Sequence, residues 1–216
     1  LFTINGCPIS SELYNFKDNR FECIRYYKEL KNFLSLNHSI KYLILHTRWG
    51  FYVSGKRFDN KEGGKEDGKN TIFINEEKDL ILNEKNREEL VIEKNINFIK
   101  NLPKNKKIII ITAVPEVGFN VPDTMTRALR FDKVKKLRNF TTSFNVYQER
   151  QNKLNKKFEE LKDNSNIYLL DTSKVFCNRK LNRCDYSKNN KPLYYDDDHL
   201  NTMGSSIMID QLFDKN

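Results

Sequence analysis

Lys107-Ile108-Ile109-Ile110-Ile111-Thr112 decides the fold, because four isoleucines in a row make it the clearest strand in the chain. It runs into Ala113-Val114-Pro115-Glu116-Val117-Gly118-Phe119-Asn120-Val121-Pro122, a rigid loop punctuated by proline and glycine. Upstream, Lys41-Tyr42-Leu43-Ile44-Leu45-His46 is another continuous apolar run, typical of a strand covered on both faces. It stops at Thr47-Arg48-Trp49-Gly50, at the carboxyl end of a strand, where open α/β sheets place ligand groups. A stacked Arg-Trp pair on the surface is the plainer reading of Arg48 and Trp49. Downstream, Asn166–Leu170 reads as a third strand ended by Asp171-Thr172, and Leu1–Ile4 as a short buried strand ending at the Asn5-Gly6 turn signal.

Helical patterns separate these strands. Apolar residues keep a helical period from Phe21 to Leu36 through Ile24, Tyr27, Leu30 and Leu34. A second helix is predicted from Asn86, where Asn86 and Glu89 make a capping-box pattern, burying Val91, Ile92, Ile96 and Ile99 before Pro103. A third spans about Ser143–Leu161 and buries Tyr147, Gln151, Leu154, Phe158 and Leu161. Strands alternating with helices predict an α/β protein, a three-layer sandwich around a central parallel sheet. Residues 1–216 are expected to form one domain, with an excursion at about 53–83. In that excursion residues 53–70, with four glycines among charges, read as a mobile loop. Thr71–Ile74 and Leu80–Leu82 read as a small hairpin.

Near the end stands Leu193-Tyr194-Tyr195-Asp196-Asp197-Asp198-His199-Leu200-Asn201, in which three carboxylates run into one of only 3 histidines in the chain. A carboxylate three residues before a histidine can fold back and accept a hydrogen bond from the ring, fixing its tautomer and leaving the other nitrogen free as a general base. Asp196 and His199 would then be two members of an Asp-His-nucleophile device. An acidic metal-binding loop, or a solvated turn whose Asn201 caps the last helix, fits the same spacing. That last helix carries Met203, Ile207, Met208 and Leu212.

Composition narrows the function classes. The chain has 216 residues, 38% hydrophobic and 31% charged, as suits a globular domain. No run approaches the roughly 18 apolar residues of a membrane span. The net charge of +9 raises nucleic acid, acidic glycan or an anionic membrane as partners. However, the lysines are scattered among asparagines and glutamates without a basic-aromatic motif, and no nucleic-acid partner is expected. The four cysteines, Cys7, Cys23, Cys177 and Cys184, lack the paired C-x₂₋₄-C spacing of a zinc site. Two local disulfides, Cys7 with Cys23 and Cys177 with Cys184, fit better and imply an oxidising compartment; four buried thiols are the alternative.

Tyr194-Tyr195-Asp196-Asp197-Asp198-His199-Leu200 resembles the Asp-x-x-His-Leu block of SGNH-type esterases and acyltransferases. Taken with Leu45-His46-Thr47-Arg48-Trp49, with Val114–Pro122 and with Cys7-Pro8 and the later cysteine pair, the chain is similar to one branch of that class. That branch is the SGNH domain fused behind integral-membrane acyltransferase-3 proteins, which O-acetylate bacterial surface polysaccharides. The resemblance implies a sheet of flavodoxin-like order, with Asp196 orienting His199 and His199 deprotonating a serine that forms an acyl-enzyme. Asp197 and Asp198 are competing partners for the ring. The implied acceptor is a surface polysaccharide, and the implied partner is the membrane acyltransferase domain, which supplies the acetyl donor and tethers the domain on the periplasmic face. No metal and no cofactor are expected in the domain itself.

Two departures from the family pattern shape the expectations. No Gly-Asp-Ser nucleophile block occurs in the sequence. The strand that carries it in the family lies between those matching Leu1–Ile4 and Tyr42–His46. The chain therefore reads as a C-terminal fragment, inactive alone, whose nucleophile lies upstream of Leu1. The position after the third strand, where SGNH enzymes place an oxyanion-binding Asn, reads His46-Thr47-Arg48-Trp49. Arg48 is the natural substitute, and Gly6 matches loosely the glycine whose backbone N–H completes the oxyanion hole. Glu116 either holds the acceptor sugar or braces its loop, with bracing the preferred role. An esterase or deacetylase on this scaffold and a non-catalytic glycan-binding module are the alternatives.

Overall fold

The computed structural model describes residues 4–16, 22–74, 83–131, 133 and 138–213. In chain order the elements are β1 (Tyr14–Asn15), α1 (Glu22–Leu36), β2 (Tyr42–Leu45), α2 (Trp49–Ser54), β3 (Phe73–Ile74), α3 (Glu84–Lys100) and β4 (Lys107–Ile111). There follow α4 (Val121–Arg130), β5 (Thr141–Ser143), α5 (Phe144–Leu161), β6 (Ile167–Leu170), α6 (Ser173–Phe176), β7 (Cys177–Asn178), β8 (Arg183–Asp185), β9 (Ser187–Lys188), β10 (Lys191–Pro192) and α7 (Thr202–Phe213). They sort into two compact units, one of residues 1–56, 69–112 and 153–169, the other of residues 57–68, 113–152 and 170–216.

The first unit holds the parallel sheet, in the order β2-β4-β6. Leu43 lies opposite Ile108 and Leu45 opposite Ile110, so these side chains share one face. The reading of an α/β fold built on a parallel sheet holds. Burial on both faces describes β4, where Ile108, Ile110 and Ile111 are at most 3% exposed. It does not describe β2, whose Tyr42 is 59% and Ile44 54% exposed. β2 ends the sheet order among the described residues, and an apolar run does not by itself reveal which strand lies at an edge.

Helix α3 begins earlier than the capping pattern at Asn86 and Glu89 suggested. Asn83 caps it, its Oδ1 accepting from the Asn86 backbone N–H at 3.0 Å. The expected apolar set Val91, Ile92, Ile96 and Ile99 is buried. β3 pairs antiparallel with β1, Tyr14 opposite Ile74. The hairpin expected with Leu80–Leu82 lies outside the described residues on that side, as do Phe21 and all of Leu1–Ile4 except Ile4. Lys106, 1% exposed, donates to the carbonyls of Asn37 at 2.6 Å and Ile40 at 2.9 Å. Its buried charge is thereby solvated by the backbone just before β2. The Cys7–Cys23 disulfide fastens the amino-terminal loop to α1.

The second unit carries an antiparallel sheet of order β5-β8-β7. Cys177 stands directly opposite Cys184 on β7 and β8, and the two are bonded. All four cysteines are thus in the two expected local disulfides. Helix α4 was missed by the sequence reading, which took Pro122 as a loop residue. Proline is tolerated in a helix's first turn, where its missing N–H has no partner to lose. Asn120 caps the helix, accepting from the Asp123 N–H at 3.0 Å.

Residues 57–68, read as part of a mobile loop, instead close on themselves. Asp59 bridges to Lys65, the Asn60 N–H donates to Gly64 O at 2.9 Å, and the Glu66 N–H to Phe58 O at 2.8 Å. Buried Asn60 and Glu66 supply side-chain acceptors where the glycine-rich sequence showed only flexibility. Glu62 receives both terminal nitrogens of Arg183, at 2.7 and 2.8 Å, and Arg138 at 2.6 Å.

Hydrogen bonding from Arg183 is the largest influence on Glu62. Together with the charges of Arg183 and Arg138 it holds the carboxyl below its ordinary range, against the upward pull of burial. A carboxyl depressed in the folded state binds fewer protons than the unfolded chain does. Its stabilisation is therefore complete above the unfolded value near pH 4.3 and is lost as pH falls through the depressed one. Thermal melts between about pH 6 and pH 3 should show a falling Tm. Glu62→Gln should lower the Tm at neutral pH and flatten that descent. Parallel curves for the two proteins would remove Glu62 from the acid response.

Candidate active site

Asp196 and His199 meet across the turn. Asp196 Oδ1 accepts the backbone N–H of Asp198 at 3.0 Å and of His199 at 2.8 Å, while Oδ2 lies 2.8 Å from His199 Nδ1. Burial is the largest influence on Asp196 and pushes its pKa up. The two backbone donors and the His199 ring together overcome it, so the carboxyl lies below its ordinary value and is ionised at neutral pH. An ionised acceptor at Nδ1 selects the tautomer that leaves Nε2 as the basic nitrogen. The His199 side chain is 69% exposed.

Asp198 also faces the ring. Its Oδ1 stands 3.0 Å from His199 Nδ1, and its side chain is 4% exposed. Both neighbours expected to compete are thereby placed: Asp198 shares the ring nitrogen, and Asp197 turns its backbone carbonyl to Val117. Asp196, Asp198 and His199 each bring a ligand-type atom within 4.8 Å of the others. A divalent cation could be held there, but Nδ1 cannot both donate to Asp196 and ligate a metal.

A short antiparallel ladder presents the dyad. The Tyr195 N–H donates to His199 O at 2.8 Å and the Asn201 N–H to Leu193 O at 3.0 Å, with Tyr194 bridged to Leu200. The three aspartates form the turn. Beneath them, the Val117 N–H donates to Asp197 O at 2.9 Å and the Val121 N–H to Asp196 O at 3.0 Å. Tyr194, wholly buried, donates its hydroxyl to Pro115 O at 2.6 Å. Asn60 completes the support, its Nδ2 donating to Val117 O at 2.9 Å and its Oδ1 accepting from the backbone N–H of Glu62 and Gly64. On the other side Asn201 caps α7, its Oδ1 accepting from the Gly204 N–H at 2.9 Å. A Cβ added to Gly204 would stand 2.2 Å from Leu193 O, so glycine lets α7 lie against the ladder.

Of the other candidates, Glu116 belongs to the same unit. It is 4% exposed and accepts Arg150 Nε at 2.5 Å and Nη2 at 3.3 Å, with Arg150 lying over the Phe58 ring. This two-point ion pair braces the loop from α5. Arg48, Trp49 and Gly6 fall in the first unit. Arg48 lies over the Phe51 ring at 5.0 Å. Trp49 is 1% exposed, donates its indole N–H to Ile111 O at 2.8 Å and packs edge-on against Phe158. Gly6 sits at the turn with φ 73, a conformation glycine adopts without strain. Sequence reasoning missed Asn60 and the Tyr194 hydroxyl. Asn60 lay in a stretch whose composition signals a loop, and only its burial reveals its role.

A parallel α/β sheet and a loop-borne histidine oriented by a carboxylate define the class. The family model for the SGNH domain (fused to AT3 domains) matches residues 1–214, and the chain belongs to that family. Among solved structures, the chain is similar to the periplasmic domain of the lipopolysaccharide acetyltransferase of Salmonella ser. Paratyphi A. The two share 17% identity at a TM-score of 0.54, over 89% of this chain. The match covers 62% of that domain's length, and at this identity it speaks for the fold. No curated protein matches the chain.

Asn60→Ala would remove three hydrogen bonds beneath the dyad and leave Val117 O without its side-chain donor. A loss of about 2–3 kcal/mol is expected, the cost of orphaning buried backbone groups. Denaturant midpoints at constant m-value would measure it; a change under about 0.5 kcal/mol would show that water replaces the amide.

Proposed function

We propose that this chain is the acyl-transfer domain of a surface-polysaccharide O-acetyltransferase, with His199 as general base and Asp196 holding it in register. The observation that carries this reading is the 2.8 Å contact between Asp196 Oδ2 and the Nδ1 of an otherwise exposed imidazole, in a chain of the AT3-fused SGNH family. His199 Nε2 takes the proton of a serine hydroxyl as its oxygen attacks the acetyl carbonyl, and returns that proton to the leaving group. The acyl-serine then passes its acetyl to a sugar hydroxyl, whose proton goes to the same nitrogen and from there to the departing serine oxygen. The 216 residues contain no Gly-Asp-Ser, and the serine is assigned to sequence outside them.

The acetyl donor is assigned to the AT3 module to which domains of this family are fused. The membrane tether is assigned to that module as well. Two disulfides support work on the extracytoplasmic face. Arg48, which follows β2, and Gly6 keep the oxyanion role as part of this proposal.

The test is acetyl transfer by the full-length protein, with the hydrolysis of p-nitrophenyl acetate followed beside it. His199→Ala should lower transfer by about 10³-fold, and Asp196→Asn by at least about 10²-fold through loss of the correct tautomer. Unchanged transfer in both variants would make the acidic-histidine turn structural. Release of acetate without any transfer to sugar would turn the reading into an esterase.

A further inference from the structure

Tyr195 is the most exposed large apolar side chain among the described residues, at 75%. It stands in the ladder that presents the base. The Tyr195 N–H to His199 O and Asn201 N–H to Leu193 O bonds flank the Tyr194–Leu200 bridge, which places Tyr195 directly across from His199. Directly opposed residues of an antiparallel pair project to the same side, with Cβ atoms about 4.5–5.5 Å apart. Burial agrees with that pleat: Tyr194, one residue back, is wholly buried, while Tyr195 and His199 both face solvent.

Leaving a tyrosine ring in water forgoes about 1.5–3 kcal/mol of burial that a neighbouring core position would return. The backbone of Tyr195 is occupied in the ladder, so its position is fixed while its ring stays open. An aromatic ring on rigid backbone is a binding platform with little conformational entropy left to lose. Its negative π-face attracts polarised C–H groups, and one face of a pyranose ring consists of such groups flanked by hydroxyls.

We propose that Tyr195 is the acceptor platform, stacking the apolar face of a sugar residue so that one of its hydroxyls reaches His199 Nε2. The proposal rests on the transfer reading above and adds the residue that selects the acceptor. Stacking recognises ring shape rather than charge, so the substrate class is a pyranose with an open C–H face. Tyr195 acts by positioning, and its contribution falls on acceptor binding.

The experiment uses the full-length protein, p-nitrophenyl acetate as donor, and oligosaccharide repeats from the producing cell's own surface polysaccharide, stripped of acetyl groups with base. Tyr195→Ala should raise the acceptor KM by about tenfold or more, with the loss falling on KM rather than kcat. Tyr195→Trp should restore it. Tyr168→Ala, at an exposed tyrosine of β6, should change neither constant. An unaltered KM in Tyr195→Ala, or a Trp variant no better than Ala, would overturn the platform. Should the wild-type protein transfer no acetyl group, saturation-transfer NMR of the same oligosaccharide with the His199→Ala protein decides separately. Signals lost on adding Tyr195→Ala and regained with Tyr195→Trp uphold the platform while the transfer reading falls, and equal signals in all three sink it.

Discussion

The Asp196 carboxylate accepts three hydrogen bonds, two from the backbone of its own turn and one from the imidazole it orients. The acidic turn of the second unit depends on that concentration of acceptors. One oxygen shapes the turn that brings His199 back toward Asp196, and the other reads the ring. A single side chain therefore sets both where the histidine is and which nitrogen carries its proton. Burial works against the charge, and the donors overcome it, so the acceptor stays ionised in a partly enclosed place where an ionised group is a strong one.

The support beneath the turn is made almost wholly of backbone. Val117 donates to Asp197 and accepts from Asn60, Val121 donates to Asp196, and Pro115 accepts from Tyr194. Main-chain groups cannot change rotamer, so the loop after β4 offers the acidic turn a fixed set of partners. Glu116 is tied through Arg150 to α5, which adds a side-chain anchor to that loop. Such rigid support is what a base needs if its nitrogen is to be held to a fraction of an ångström.

The legible parts of the sequence were those in which one residue type decides a local outcome. The isoleucine run gave β4, the apolar period gave α1, α3 and α5, and the Asp-x-x-His spacing gave the dyad. The illegible parts depend on what meets them. β2 is as apolar as β4, yet its place at the end of the described sheet leaves Tyr42 and Ile44 in solvent. Pro122 punctuates like a loop residue and yet sits in the first turn of a helix. Residues 57–68 have the composition of a flexible loop, and two buried side chains, Asn60 and Glu66, turn them into a closed hairpin. The capping residue of α3 was misplaced because Asn86 and Asn83 carry the same side chain, and only geometry separates donor from cap.

Gly204 has a mechanical meaning beyond its lack of a side chain. Helix α7 rests its own backbone on the carbonyl of Leu193, with no side chain between them to act as a bearing. Asn201 links the two by bonds to Pro192 on one side and to Gly204 on the other. A displacement of α7 would therefore reach the ladder that carries the imidazole through main-chain contacts, with no side chain between them.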